Sequence, residues 1–243
     1  MSPVALVTGA SKGIGRACAL ALAAAGHQVA IGYSTDAEGG EKTAAEVGGL
    51  AVQIDVTDPA GVDAAFAAVE DALDPVGVLV NNAGVAADGL VMRMSDEQWG
   101  SVLRTNLDGA FHCTRRALPK MVRARGGRIV NIGSVAGILG NAGQANYAAA
   151  KAGLAGLTRA VAREVASRGV TCNLVAPGPV ATAMIEALPD ERRADLARAV
   201  PLGRMGTPED VAAVVAFLCS DGAAYVTGAV VPVDGGLSMG GQL

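Results

Sequence analysis

Tyr147 and Lys151, four residues apart, are the first pair in this 243-residue chain that invites a chemical reading. In a helix that spacing puts both side chains on one face. A free phenol titrates near ~10 and is a poor acid–base catalyst at neutral pH. A neighbouring ammonium favours phenolate and lowers that value, towards the operating pH, where proton transfer is most effective. Each residue also has an ordinary alternative. A tyrosine among alanines can be a core residue with a satisfied hydroxyl, and a lysine on a helix is usually a solvated charge. The second feature is the segment Thr8-Gly9-Ala10-Ser11-Lys12-Gly13-Ile14-Gly15-Arg16, which joins an apolar run to an amphipathic one. Glycines there let the backbone turn sharply and approach a pyrophosphate, and a helix N-terminus offers free N–H groups and partial positive charge. The spacing is G-x-x-x-G-x-G, not the common G-x-G-x-x-G. Its strand–loop–helix context at the head of a βαβ array argues against a ligand-free turn.

Other chemistries fit poorly. Ser134 follows an apolar run, but a nucleophile elbow needs G-x-S-x-G, and Ile132 stands two residues before it. The only histidines are His27 and His112, and His27 falls in a turn before a strand, an unsuitable place for a catalytic base. No H-E-x-x-H or clustered ligand set is present, so no metal is expected. The four cysteines, Cys18, Cys113, Cys172 and Cys219, are scattered through apolar runs and form no C-x-x-C pair. They read as small core residues in a reducing compartment, so a cytoplasmic location is expected. Nineteen basic against twenty-three acidic residues give a net charge of −4, which does not suggest nucleic acid as a general partner. No long uncharged apolar run predicts a membrane span, and the N-terminus enters a strand without a signal-peptide pattern.

The elements that must position these residues are legible in the apolar pattern. Short continuous apolar runs near 3–8, 28–33, 50–55, 76–81, 127–132, 170–175 and 229–233 predict strands buried on both faces. Helical stretches fill the gaps at about 13–26, 39–47, 59–73, 96–124, 146–168, 182–198 and 208–220. The alternation predicts an α/β Rossmann fold: one domain spanning 1–243, with a doubly wound parallel sheet of about seven strands and helices on both faces. Half of the ten prolines lie between Pro177 and Pro208, and the irregular stretch at about 178–208 is read as a substrate lid.

Taken together, these motifs resemble the short-chain dehydrogenase/reductase family. The loop at 8–15, Asn81-Asn82-Ala83-Gly84, Asn106, Ser134, Tyr147-x-x-x-Lys151 and Pro177-Gly178 with Thr182 stand in that family's order and cover nearly the whole chain. Within the family, three stretches resemble the members that reduce 3-oxoacyl groups on acyl carrier protein: Leu90-Val91-Met92-Arg93-Met94, Gly143 to Leu154, and Ala162 to Gly169.

The resemblance implies a catalytic set of Ser134, Tyr147, Lys151 and Asn106, with Ser134 holding the substrate carbonyl and Asn106 orienting Lys151 through a water. It implies NADPH/NADP+ contacts from Gly9, Ser11, Lys12, Gly13, Ile14, Gly15, Ser34, Asp55, Val56, Asn82, Ala83, Gly84, Tyr147, Lys151, Pro177, Gly178, Val180 and Thr182. NADPH is expected over NADH because strand 2 ends on Tyr33 and Ser34, where an NAD enzyme usually carries an acid. Asp36, about twenty residues past the glycines, is read as a turn residue beyond that strand. The implied reaction is reduction of a 3-oxoacyl thioester on acyl carrier protein to the (3R)-3-hydroxyacyl thioester in fatty acid biosynthesis. A coenzyme A or polyketide substrate is the near alternative, and a non-catalytic dinucleotide-binding regulator the distant one. A homotetramer is also implied. Small residues in 96–124 and 146–168, and the apolar last strand, would supply its interfaces. Arg125 and Arg168 are implied as docking positions for the acidic carrier.

Overall fold

A strand covered by helices on both faces must send alternate side chains into two separate cores, and β1 (Val4–Val7) does so. Ala5 and Val7 belong to one buried cluster, Val4 and Leu6 to the other. The computed structural model describes residues 3–182 and 189–239. Its seven strands are β1, β2 (Val29–Tyr33), β3 (Leu50–Gln53), β4 (Val76–Asn81), β5 (Gly127–Ile132), β6 (Val170–Pro177) and β7 (Val230–Val233). All pair in parallel in the order β3-β2-β1-β4-β5-β6-β7. Each expected strand is present, and the doubly wound parallel sheet is as the alternation predicted.

The first core lies between the sheet and the pair α1 (Gly13–Ala24) and α9 (Pro208–Cys219). Cys18 and Leu22 of α1 meet Val211 and Val215 of α9 there. The second core is closed by α3 (Pro59–Ala72), α5 (Gly109–Ala124) and α7 (Ala145–Val165). It is built on Phe66, Cys113, Met121 and Val165. Helix α2 (Ala37–Val47) starts on the Asp36 side chain and stops at Gly48, which adopts φ 61°. All four cysteines are free and buried, and burial pushes each thiol up to about 12.

Two departures from the sequence expectation concern helices. The stretch 96–124 is not one uniform helix: α4 (Asp96–Leu103) passes into a π turn at Arg104–Asp108 before α5 begins. A π turn adds a residue to the helical ladder, and such turns gather at functional sites; Asn106 sits in this one. A short helix α6 (Ala136–Leu139) also follows β5. Of the expected 182–198 helix, residues 183–188 lie outside the described residues, and α8 covers Asp190–Ala199. The segment that contains it is pinned at both ends: Ala181 N donates to Gly206 O at 2.9 Å and Gly206 N donates to Pro179 O at 2.9 Å. Among the described residues no helix is long and apolar enough to cross a membrane.

Candidate active site

In this strand order the direction in which successive strands are added reverses between β1 and β4, and a crevice opens there at the carboxyl ends of the parallel strands. Every expected cofactor or catalytic position falls along that edge or on a helix facing it. The loop 8–15 follows β1, Ser34 follows β2, and Asp55 and Val56 follow β3. Asn82 to Gly84 follow β4, Ser134 follows β5, and Pro177 ends β6. A cleft of about 520 Å³ occupies the crevice, lined by Ile14, Asn82, Gly84, Ser134, Tyr147, Lys151, Pro177, Gly178, Val180 and Thr182 among others. Leu196 and Ala199 of α8 reach its wall.

The glycine loop has the form that a pyrophosphate needs. Gly9 and Gly13 have positive φ, 63° and 59°. A Cβ on Gly15 would lie 2.4 Å from both the Gly9 carbonyl oxygen and Asn82 Nδ2. Lys12 is the N-cap of α1 and no side chain caps the helix, leaving its first N–H groups open to an anion. The loop is stitched to β4 by Thr8. Its Oγ1 accepts from Asn82 N and Ala83 N, both at 3.0 Å, while Asn82 Nδ2 donates to the Thr8 and Gly9 carbonyls at 2.9 Å. Thr8 was quoted in the motif without a role; the structure makes it the pin between the two halves of the dinucleotide crevice.

One expected cofactor contact is qualified, and Asp36, read as a turn residue past β2, has partners of its own. The Val56 side chain is buried in the second core, where a Cβ on Gly109 would meet its Cγ2 at 2.5 Å, so Val56 can flank an adenine only through its backbone. Asp36 is not a bystander beyond β2. Its carboxylate caps α2 through Gly39 N at 3.1 Å and turns back to the Ser11 hydroxyl and Lys12. The Gly39 N–H, the Ser11 hydroxyl and the Lys12 charge hold it below the ordinary carboxylate range.

At the other end of the cleft the Ser134 hydroxyl stands close enough to the Tyr147 phenol to favour its ionised form. Ser134 Oγ also accepts from Ala136 N at 3.1 Å, which fixes its rotamer. Lys151 Nζ lies 5.5 Å from the Tyr147 ring centre and donates to Ile132 O at 2.8 Å. The expectation that Lys151 lowers the Tyr147 pKa is corrected. Burial raises the phenol above its ordinary value, the Asp88 charge adds to that, and only the Ser134 hydrogen bond opposes it. Burial likewise lowers the ammonium of Lys151 from 10.5 to about 8. At neutral pH the phenol therefore keeps its proton. Asn106 Oδ1 accepts from Val85 N and its Nδ2 donates to Val85 O, both at 2.8 Å. Each amide atom is thus engaged once with Val85, and no direct hydrogen bond joins Asn106 to Lys151 among the described residues. Both groups converge on Gly84, where a Cβ would stand 2.7 Å from Asn106 Oδ1 and 3.6 Å from Lys151 Nζ.

The rim holds a group that the sequence reading did not single out. Gln144 Nε2 donates to Asp88 at 3.0 and 3.1 Å, and Asn141 Nδ2 donates to Gln144 Oε1 at 2.8 Å. Exposed Gln, Asn and Asp residues in loops carry no spacing signal, so only the fold brings them together. Arg125 and Arg168 lie elsewhere: both are exposed at the amino-terminal ends of β5 and β6, where Arg125 Nη2 donates to Ser167 O at 3.4 Å. A strand the length of β5 separates them from Ser134, roughly 20 Å at about 3.3 Å per residue.

The chain belongs to the short-chain dehydrogenase/reductase family, nicotinamide-dinucleotide-dependent oxidoreductases of this fold. A family model described as enoyl-(acyl carrier protein) reductase matches residues 9–238. The chain is 48% identical over 238 residues to the 3-oxoacyl-[acyl-carrier-protein] reductase FabG of Escherichia coli, with 97% of each chain covered. It is 51% identical over 241 residues to the enzyme of that name from Pseudomonas aeruginosa, again covering 97% of each. The corresponding Staphylococcus aureus protein is 47% identical over 244 residues, which cover 98% of this chain and 99% of that one.

The buried ammonium has a measurable cost. Between about pH 8 and 10.5 the unfolded chain binds a proton at Lys151 that the folded chain does not, so stability from this group rises with pH across that window. At about 1.4 kcal/mol per pKa unit, the charge opposes folding by on the order of 3 kcal/mol at neutral pH. Lys151→Met should therefore raise Tm at pH 7 and remove the rise between pH 8 and 10.5. Calorimetry showing a lower Tm at pH 7 would mean that the Ile132 hydrogen bond outweighs the desolvation.

Proposed function

We propose that the chain reduces a 3-oxoacyl thioester on acyl carrier protein to the (3R)-3-hydroxyacyl thioester in fatty acid biosynthesis, with NADPH. The observation that carries this reading is the meeting of Ser134, Tyr147 and Lys151 in one cleft below an uncapped glycine-loop helix. It stands in a chain about half identical throughout to reductases of that name. When bound, the nicotinamide supplies the hydride. Ser134 donates a hydrogen bond to the substrate carbonyl oxygen, and Tyr147 gives that oxygen its proton. A phenol held in its protonated form by burial suits a proton donor. Lys151, charged below about pH 8, favours the phenolate left behind. The segment 178–208 acts as the lid, with Leu196 and Ala199 lining the cleft.

The test is turnover of acetoacetyl carrier protein, acetoacetyl coenzyme A and a crotonyl thioester, each with NADPH and NADH. The ketones should be reduced, the carrier-linked one best, and the crotonyl double bond should not. Crotonyl reduction alone would favour the enoyl reaction named in the matching family description. Tyr147→Phe should lose nearly all turnover while still binding cofactor; substantial ketone reduction by that variant would sink the mechanism.

NADPH over NADH rests on Lys12 and on the absence of an acid at Tyr33 and Ser34. Asp36 opposes it, since its carboxylate draws on Ser11 and Lys12, the groups that a 2′-phosphate would take over. Lys12→Ala should then lower the NADPH/NADH ratio of kcat/KM and Asp36→Asn should raise it. A ratio unmoved by both changes would place the 2′-phosphate elsewhere.

A homotetramer fits two outward faces. Ala149, Ala152, Gly156 and Ala160 form an exposed stripe of small residues on α7, and a Cβ on Gly156 would meet nothing within 4 Å. On the other side β7 is an edge strand, with Phe217 and Tyr225 exposed nearby. A second copy could bring Arg125 and Arg168 to an active-site mouth. Arg125 also holds φ 53°, the only positive value outside glycine among the described residues. Reversing both arginines to Glu should raise KM for the carrier-linked ketone, increasingly so at low salt, and leave a small free β-ketoester almost untouched. Equal losses on both substrates would assign the arginines to the fold. A cytoplasmic placement accords with the four free thiols.

A further inference from the structure

One chain of buried hydrogen bonds runs across the sheet beside the second core. Asn81 ends β4 and Asn131 is its register partner on β5. Asn81 Nδ2 donates to Thr114 Oγ1 of α5 at 3.0 Å and to Asn131 Oδ1 at 2.8 Å. Asn131 Nδ2 donates to Thr158 Oγ1 of α7 at 2.9 Å. The four residues are at most 5% exposed. The result is a ladder with a helix at each end: α5, Thr114, Asn81, Asn131, Thr158, α7.

As a stabiliser the ladder is a poor choice. It lies beside the second core's Cys113, Ala117, Ile129 and Cys172, where apolar side chains would fill the same space. It also leaves Asn81 Oδ1 buried without a partner, a cost that an apolar residue would avoid. What hydrogen bonds give and apolar contacts do not is a fixed register between elements. The elements registered here carry the reactive groups. Lys151 and Thr158 are seven residues apart on α7, two turns along one buried face. Asn106 and Thr114 lie on the continuous helical run from 104 to 124. Asn131 immediately precedes Ile132, whose carbonyl receives Lys151 at 2.8 Å. Asn81 immediately precedes Asn82 and the turn through Gly84 on which Asn106 and Lys151 converge.

We propose that Thr114, Asn81, Asn131 and Thr158 are positioning residues, which set the offset between the helix carrying Asn106 and the helix carrying Tyr147 and Lys151. This rests on the catalytic reading given above. Neither threonine touches the cleft, so the ladder acts only through the placement of other groups. A shift of about an ångström in such groups is costly to turnover, whereas none of the four ladder residues lies in the glycine loop itself.

Thr114→Val and Thr158→Val test this, because each keeps the side-chain shape and removes only the hydroxyl. Each should still fold, with a Tm lowered by no more than several degrees for the orphaned amide N–H, and bind cofactor normally. Each should lose kcat roughly ten- to hundredfold, with the alkaline limb of its pH profile displaced. Thr114→Ser and Thr158→Ser restore the hydroxyl and should recover most of the loss. The double Val variant should lose little more than the worse single one, because either change opens the same ladder. A kcat within about twofold of the parent and an unmoved pH limb in both Val variants would overturn the proposal. So would a loss that tracks a fall in Tm and is not restored by Ser. Tyr147→Phe assayed alongside separates the two levels. If it keeps turnover, the catalytic reading itself fails; if it is inactive while the Val variants are not, only the ladder's role falls.

Discussion

A lysine ammonium lies 5% exposed inside this molecule with one main-chain carbonyl, that of Ile132, as its hydrogen-bond acceptor. Charge taken out of water must be met by geometry that holds it fast, and much of the local architecture does that. The acceptor is the last residue of β5, so sheet register sets its position. The donor leaves the first turns of α7, a helix long enough to be anchored two turns further on by Thr158. Gly137 lets α6 lie directly on the α7 backbone, where a Cβ would stand 2.7 Å from the Lys151 carbonyl carbon. Gly84 lets the turn after β4 come close to the same ammonium. Each glycine is explained by an approach that a larger residue would prevent.

The sheet order explains why the glycine loop and the group of Ser134, Tyr147 and Lys151 share one cleft. In a parallel sheet all carboxyl ends lie on one side, so loops distant in sequence, after β1, β4, β5 and β6, become neighbours. Thr8 and Asn82 make this a mechanical link by joining β1 to β4 at their ends. The dinucleotide crevice is thus a hydrogen-bonded seam, whereas the catalytic end is organised by helices packed below it.

Most of this frame was legible in the residues. Buried parallel strands announce themselves as continuous apolar runs, and all seven were found; the glycine spacing and the Tyr-x-x-x-Lys pair located both ends of the cleft. What escaped depends on tertiary placement. The π turn at 104–108 has no composition that separates it from a plain helix. Asp36 is a turn residue past the strand, as expected, but its turn back to Ser11 depends on how α2 leaves β2. Val56 was expected beside an adenine, yet its side chain points into the core, a difference of one face that loop residues do not encode. The amides Asn81 and Asn131 sit where a buried strand should be apolar, and that mismatch with the pattern was the one signal available for them.

The pKa of Tyr147 shows why proximity in sequence misleads about electrostatics. Two residues on one helix face suggested an ion pair that would favour phenolate. In the folded chain the same burial that brings the pair together acts against both charged forms, raising the phenol and lowering the ammonium. Between them the groups hold less charge than they would in water. For a ketone reduction this is the useful arrangement, because the proton must be on Tyr147 before the carbonyl arrives and must leave only when negative charge grows on the substrate oxygen. A phenolate stabilised beforehand would have no proton to give. In the proposed reaction burial would keep the donor loaded, and Lys151, its Nζ 5.5 Å from the Tyr147 ring centre and still able to carry charge near neutral pH, would favour the phenolate left behind.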